Sequence, residues 1–375
     1  MIKLSKSCVG EEEKIAVCRV LDNAYLGMGQ EVMLFEQELQ IFIDPNIQVA
    51  CVNTGTSALH LAIQACGIGV GDEIIVPAIT YVACFQAISA TGATAVACDI
   101  NPDSGVMDPK DAEKRITSKT KALMPMHYAG GYGELEEVYN IATKYGLRVI
   151  EDAAHSFGGF YKGKRVGAMG DIICFSFDGI KNITCGEGGA VVSSDKFIIN
   201  KIKDLRLLAV EKDTEQRYKG NRSWDFDVKD QGWRYHMSNI NAAIGREQLK
   251  KFDSFAQIRK HFWKMYVTQL SDLKNNYLNF LNLDINYCVP HIFSLNILNN
   301  KRDDLKKYLE TYNIETGIHY KPNNFLSKYN NLFTQKCVNS HYWWEQAISL
   351  PLHCCLAEED INNITKNIKN FFNLC

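Results

Sequence analysis

The chain has 375 residues, 46% hydrophobic and 22% charged, with 41 Lys and Arg against 43 Asp and Glu. This balance excludes a disordered chain and a protein whose main task is neutralising nucleic-acid phosphate, and the length predicts one large domain with a smaller one. No apolar run approaches ~18 residues, so no membrane-spanning helix and no membrane partner are expected. The opening residues 1–7 carry neither an apolar stretch nor a small-residue cleavage site, which predicts a cytoplasmic protein. The 13 cysteines form no Cys-x-x-Cys pair, and Cys51, Cys66, Cys84, Cys98 and Cys174 sit in apolar stretches. They read as core thiols in a reducing compartment, and no metal site is expected.

Val32, Phe35, Leu39 and Phe42 are spaced three, four and three, one face of a helix. A strand over 47–52 follows, then a helix over 57–66, a strand at 73–76, a helix at 81–91 and a strand at 95–98. The alternation continues with a strand at 121–126, a helix at 134–145 and a strand at 147–150. Leu135, Val138 and Ala142 mark one face of that helix. Strands at 172–177 and 190–193 flank a glycine-rich turn. Strand and helix in alternation predict an α/β fold with a mostly parallel sheet covered on both faces. From about residue 195 the pattern turns helical and charged. The expected organisation is a large α/β domain over 1–250 and a smaller α+β domain over 251–375.

Ligands of open α/β sheets bind beyond the carboxyl ends of the strands, and three segments fall there. Gly55-Thr56-Ser57 lies between a strand and a helix, where backbone N–H groups and hydroxyls suit an anion. A glycine in such a turn is also an ordinary structural residue. Glu151-Asp152-Ala153-Ala154-His155 places two acids at a strand end, either buried with partners or solvated in a loop. Ser176-Phe177-Asp178-Gly179-Ile180-Lys181-Asn182 closes a third strand, and Lys181 is either functional or an ordinary surface lysine. Together they offer an anion cradle, a carboxylate and an amine. Pyridoxal phosphate needs a phosphate cup, an acid beside its ring nitrogen and an amine for a Schiff base.

Further segments join these: Tyr25-Leu26-Gly27-Met28-Gly29, Asn53-Thr54-Gly55-Thr56-Ser57-Ala58-Leu59, Gly69-Val70-Gly71-Asp72-Glu73, Gly170-Asp171-Ile172-Ile173 and Gly186-Glu187-Gly188-Gly189. In this order, over nearly the whole chain, the sequence resembles the DegT/DnrJ/StrS-type sugar aminotransferases. Those are pyridoxal 5'-phosphate enzymes of fold type I, aspartate-aminotransferase-like, that aminate nucleotide-linked keto sugars. The resemblance implies that Lys181 is the catalytic residue and holds the cofactor as a Schiff base. It implies that Asp152 pairs with the ring nitrogen, and that Gly55, Thr56, Ser57 and Ser176 hold the phosphate. Tyr81 would stack on the ring and His155 would lie near its phenolic oxygen, although either could be structural. Met28, His319 and Tyr320 are implied at the substrate, with core or surface positions as the alternative for the last two.

The segment Gly232-Trp233-Arg234-Tyr235-His236-Met237 departs from the family pattern, which commonly reads Gly-Tyr-Asn-Tyr-Arg-Met. Arg234 would meet the cofactor phosphate of a neighbouring subunit, a nucleotide diphosphate, or solvent. The resemblance implies a homodimer that takes an amino group from L-glutamate, releasing 2-oxoglutarate and leaving pyridoxamine phosphate. The acceptor implied is a nucleotide-linked keto sugar. The leading expectation is carbon 4 of a dTDP-4-keto-6-deoxyhexose, as in dTDP-4-amino-4,6-dideoxyglucose formation, for O-antigen lipopolysaccharide or another surface polysaccharide. Amination of a 3-keto-6-deoxyhexose or another nucleotide keto sugar, and a catalytically dead regulatory or binding protein on the same fold, are the alternatives. No nucleic-acid partner is expected.

Overall fold

A computed structural model describes residues 1–330 and 336–373. Helices α1 (Glu11–Asp22) and α2 (Gln30–Ile43) precede strand β1 (Gln48–Val52). Then follow α3 (Gly55–Ala65), β2 (Glu73–Pro77), α4 (Ala83–Ala90), β3 (Thr94–Cys98), α5 (Pro109–Lys114) and β4 (Thr120–Leu123). After α6 (Leu135–Tyr145) and β5 (Arg148–Asp152), a short hairpin pairs β6 (Phe160–Tyr161) with β7 (Lys164–Arg165). β8 (Ile172–Ser176), β9 (Gly189–Ser193), α7 (Lys196–Leu205) and α8 (Asp213–Tyr218) lead into the long α9 (Asn239–Gln269). The remainder contains β10 (Leu278–Phe280), β11 (Phe293–Ile297), α10 (Arg302–Thr311), α11 (Val338–Gln346), β12 (Ala347–Leu350) and α12 (Glu358–Asn373).

The main sheet has seven strands in the order β1-β9-β8-β5-β4-β2-β3. Its pairings are parallel except around β9, which runs antiparallel to both β1 and β8. The β8–β9 connection, residues 177–188, carries no helix and returns the chain antiparallel as a long hairpin. Strand periodicity sends alternate side chains to opposite layers. Ala50, Val52, Ile74, Val76, Ile150 and Ile172 pack under α3, α4 and α7. Val49, Cys51, Ile173 and Phe175 meet Val32, Phe35 and Leu39 of α2. Ile75, Leu123 and Val149 meet Leu135, Val138 and Ala142 of α6. Both faces of the sheet are thus covered. Helices α1 and α5 and the β6–β7 hairpin are additions to the elements expected from the sequence. β4 stops at Leu123, although Met126 still forms a bridge to Asp152.

The smaller unit is an antiparallel sheet, β10-β11-β12, packed against α10, α12 and the second half of α9. The division expected at 250/251 falls inside α9. Ala242, Phe252 and Phe255 of this helix belong to the core below the main sheet, whereas Phe262 and Tyr266 belong to the smaller unit's core. Among the described residues every cysteine is a free thiol, with Cys51, Cys84, Cys98 and Cys174 buried and Cys66 partly so; Cys375 lies outside the described residues.

One buried ion pair ties α2 and β1 to the end of α7. Arg206 is fully buried; its Nη1 donates to Glu36 Oε1 at 2.6 Å and to the Cys51 carbonyl at 2.5 Å. Burial pushes the Glu36 carboxyl up, but the charges of Arg206 and Lys203 outweigh it and hold it below 4.5. Removing one partner strands the other charge. Arg206→Met is expected to lower stability by about 3–5 kcal/mol in urea unfolding, and adding Glu36→Gln should recover part of that loss. The wild-type contribution should be complete above the unfolded carboxyl's 4.5 and fade as pH falls through the lower folded value.

Candidate active site

The carboxyl ends of β1, β2, β5 and β8 open onto one cavity of about 510 Å³. At the first end the chain leaves β1 and enters α3 through Thr54, whose hydroxyl accepts from the Ser57 N–H at 3.0 Å and caps the helix. Gly55 and Thr56 then face the cavity together with Ser176 from the end of β8. The approach is close. A Cβ on Gly55 would lie 2.7 Å from Ser176 Cβ, and one on Gly189 would lie 2.5 Å from the Thr54 carbonyl oxygen. Only glycine lets the α3 N-terminus sit against β8 and β9, where its N–H groups and two hydroxyls suit an anion.

Strand alternation separates the two acids at the end of β5. Glu151 turns away from the cavity, where its Oε2 lies 3.0 Å from His127 Nε2 and its Oε1 accepts from the Tyr139 hydroxyl. Asp152 faces the cavity and is 4% exposed, so neither acid is a solvated loop residue. Its Oδ2 accepts from Cys84 Sγ at 3.0 Å and its Oδ1 from the Ala154 N–H at 3.0 Å. The loop between β8 and β9 carries Lys181 into the same space. Burial pushes the Lys181 amine down to about 8, while Asp152 and Asp178 resist and Arg259 adds to the fall. An amine tuned this way holds a usable unprotonated fraction near neutral pH.

Histidines and tyrosines close the other side. His155 Nδ1 accepts from the Ala129 N–H at 3.3 Å, and its Nε2 lies 3.1 Å from the Tyr320 hydroxyl. Burial, with the Lys181 charge, holds His155 well below 6.5 and therefore neutral. His319 places Nδ1 2.8 Å from the Ser349 hydroxyl, and burial lowers it to about 4. Tyr128 donates to the His319 carbonyl. Tyr81, 56% exposed, sets its ring 5.9 Å from that of Tyr320 at the mouth.

Gly55, Thr56, Tyr81, Asp152, His155, Ser176, Lys181, His319 and Tyr320 are thus brought together. Three expected site residues are not. Met28 is fully buried in the core with Val32 and Phe35, because the α2 packing face continues into the turn before it. Ser57 is consumed by the helix cap: its hydroxyl lies 2.7 Å from Asn53 Oδ1 and 2.8 Å from the Thr54 carbonyl. Arg234 is exposed and outside the cavity of its own chain. His291, which the sequence reading did not single out, comes within 3.5 Å of Lys181 Nζ. No local spacing links it to a lysine 110 positions earlier. A larger cavity of about 660 Å³ beside the β6–β7 hairpin has tyrosines and acids but no buried amine opposite a carboxylate.

Residues 7–369 match the model of the DegT/DnrJ/EryC1/StrS aminotransferase family. The spore coat polysaccharide biosynthesis protein SpsC of Bacillus subtilis is 31% identical over 370 residues, 96% of this chain and 95% of its own. PseC of Helicobacter pylori, an aminotransferase in pseudoaminic acid biosynthesis, superimposes with a TM-score of 0.91 at 29% identity, covering 100% of both chains. Spr1654 of Streptococcus pneumoniae, solved in a PLP form, superimposes with a TM-score of 0.90 at 26% identity over 98% of each chain. The fold is therefore that of the fold type I pyridoxal-phosphate enzymes.

The contact at the α3 N-terminus gives a direct test. Gly55→Ala pushes the helix from β8, and pyridoxal phosphate binding measured by fluorescence titration should weaken at least ~10-fold, about 1.4 kcal/mol. Ser57→Ala, which alters only the cap, should lower the melting temperature while leaving that affinity within about twofold.

Proposed function

The chain belongs to the DegT/DnrJ/EryC1/StrS aminotransferase family, whose members depend on pyridoxal phosphate, and from that premise we propose that it aminates a nucleotide-linked keto sugar with L-glutamate as donor. The acceptor proposed is carbon 4 of a dTDP-linked 4-keto-6-deoxyhexose, feeding a surface polysaccharide. The observation that carries the reading is the half-buried Lys181 amine sharing one cavity with buried Asp152 and the α3 anion cradle. The biosynthetic roles named for SpsC and PseC support an activated sugar as the acceptor.

In this reading the site residues fit the cofactor. Gly55, Thr56 and Ser176 hold its phosphate at the helix N-terminus. Asp152, buried and already fixed by Cys84 and Ala154, keeps the ring nitrogen protonated. When bound, pyridoxal phosphate supplies a carbonyl that carries the amino group and a ring that accepts electrons. Lys181 Nζ anchors it and then takes the proton from the α-carbon of the amino-acid donor. Neutral His155 and Tyr320 form a hydrogen-bonded wall, and Tyr81, beside Tyr320 at the mouth, would stack on the cofactor ring. The walls exclude water from the amine and leave an opening for a long substrate.

Arg234 is proposed to act across a homodimer interface. Its side chain is exposed and forms no ion pair among the described residues, and it follows Trp233, whose indole stacks on Tyr235. A guanidinium offered to a neighbour's phosphate provides a two-pronged donor.

Incubation with glutamate and a panel of nucleotide keto sugars, with the product position read by NMR, tests the reaction. Amination at carbon 4 of the dTDP sugar is expected, and Asp152→Asn should slow the glutamate half-reaction at least ~100-fold, about 2.7 kcal/mol of barrier. Turnover only with other acceptors, or with none, would refute the substrate proposed. For the interface, Lys181→Ala and Arg234→Ala chains are each expected to be nearly inactive. Mixed dimers then hold one intact site, so activity should return to about half of normal per dimer. Mixed dimers that form and stay dead would place Arg234 elsewhere.

A further inference from the structure

A lysine that must hold and release a proton needs a partner that tolerates its charged form, and this inference rests on the role proposed above for Lys181. The groups facing its amine are Asp152, Asp178, His155, His291, His319, Tyr320 and, behind His291, Arg259. Most already have fixed hydrogen-bonding duties. Asp152 is taken by Cys84 and Ala154, and Asp178 Oδ2 accepts from the Ile180 N–H at 3.2 Å. His155 is pinned by Ala129 and Tyr320, and His319 by Ser349.

His291 is different. It is 4% exposed, and its Nε2 lies 3.5 Å from Lys181 Nζ. Its Nδ1 is buried with no hydrogen-bond partner among the described residues. The ring is nonetheless held firmly. The His291 N–H donates to the Ala129 carbonyl at 3.1 Å, its carbonyl accepts from Arg259 Nη1 at 3.0 Å, and its ring lies 4.3 Å from that of His155. A ring needed only to fill space would not require an orphaned buried nitrogen, which carries a desolvation penalty. With the proton on Nδ1, Nε2 is the nitrogen left to accept. The 3.5 Å separation is long for a hydrogen bond, and a small shift of the lysine chain would bring the ammonium into charge-assisted reach.

We propose that His291 is a positioning residue whose Nε2 accepts a hydrogen bond from the ammonium form of Lys181. It thereby holds that group in one direction and keeps its proton affinity from collapsing inside a buried site that also contains Arg259. Burial, together with the charges of Lys181 and Arg259, keeps His291 itself neutral and so able to accept. The histidine takes no proton from the substrate; it fixes the atom that does.

The test follows Lys181 in the full chain freed of cofactor, reading the pH dependence of its acetylation by peptide mass spectrometry. In the wild type the midpoint should lie near 8. His291→Met, with His291→Phe as a second apolar replacement should the first not fold, should lower it by at least about one pH unit, a tenfold loss of proton affinity. His291→Gln, which restores an acceptor, should return it to within about 0.3 unit of wild type. An unmoved midpoint in the apolar variants, or an equal fall in His291→Gln, overturns the proposal, since the ring would then act only by packing. Borohydride reduction with pyridoxal phosphate is run alongside. Label on Lys181 with an unmoved midpoint defeats this inference alone, whereas label absent from Lys181 defeats the reading of the site as well.

Discussion

The site depends on a backbone approach with no room for a side chain. Gly55 sits against Ser176, and Gly189 against the Thr54 carbonyl, so that the entry of α3, the exit of β8 and the entry of β9 meet within van der Waals reach. This contact holds only because β9 runs antiparallel between β1 and β8, pairing Gly189 with both Val52 and Ser176. The hairpin return that reverses β9 is also the segment that carries Lys181 over the strand ends. One topological feature therefore shapes the anion cradle and delivers the amine.

Electrostatics then decide what that cavity can do. Asp152, buried, and Asp178, partly exposed, face the amine, and the histidines around it are kept neutral by burial and by the lysine's own charge. The second acid at the end of β5 is withdrawn to His127 and Tyr139 on the far side of the strand. Burial and Arg259 outweigh the pull of Asp152 and Asp178, so the amine stands close to the pH at which it must work.

The cavity also belongs to two structural units. Strand ends of the main sheet supply Asp152 and Ser176 and the loop after β8 supplies Lys181, while His291, His319 and Tyr320 come from the smaller unit. Helix α9 passes through both cores, and Arg259 on it bonds the carbonyls of His291 and Leu352, so the smaller unit is registered against the larger by a continuous helix. Geometry at the amine is thereby coupled to packing far from it. The first residues of the chain add to this clamp, since Ile2 bridges Ile314 and the Ser7 hydroxyl donates to the Gly179 carbonyl at 2.5 Å, two residues from Lys181.

The sequence alone determined what short-range periodicity encodes. The strand and helix alternation, the packing faces of α2 and α6, the layering of the sheet and the strand-end positions of Gly55, Asp152 and Lys181 could all be read from neighbours within a few positions. The resemblance across the chain extended that reading to the cofactor and the aminotransferase class. What tertiary structure decided are matters of direction and distant partnership. Ser57 was expected at an anion and instead completes a helix cap, since a hydroxyl at that position can turn either way. Met28 lies in the core because the main-sheet layer beneath α2 claims it, and a division drawn at 250 could not anticipate one helix serving two cores. His291 reaches Lys181 across 110 positions through a fold that brings β11 to the end of β8. No local pattern records such a contact, because the free energy that makes it resides in the packing of segments that are far apart in the chain.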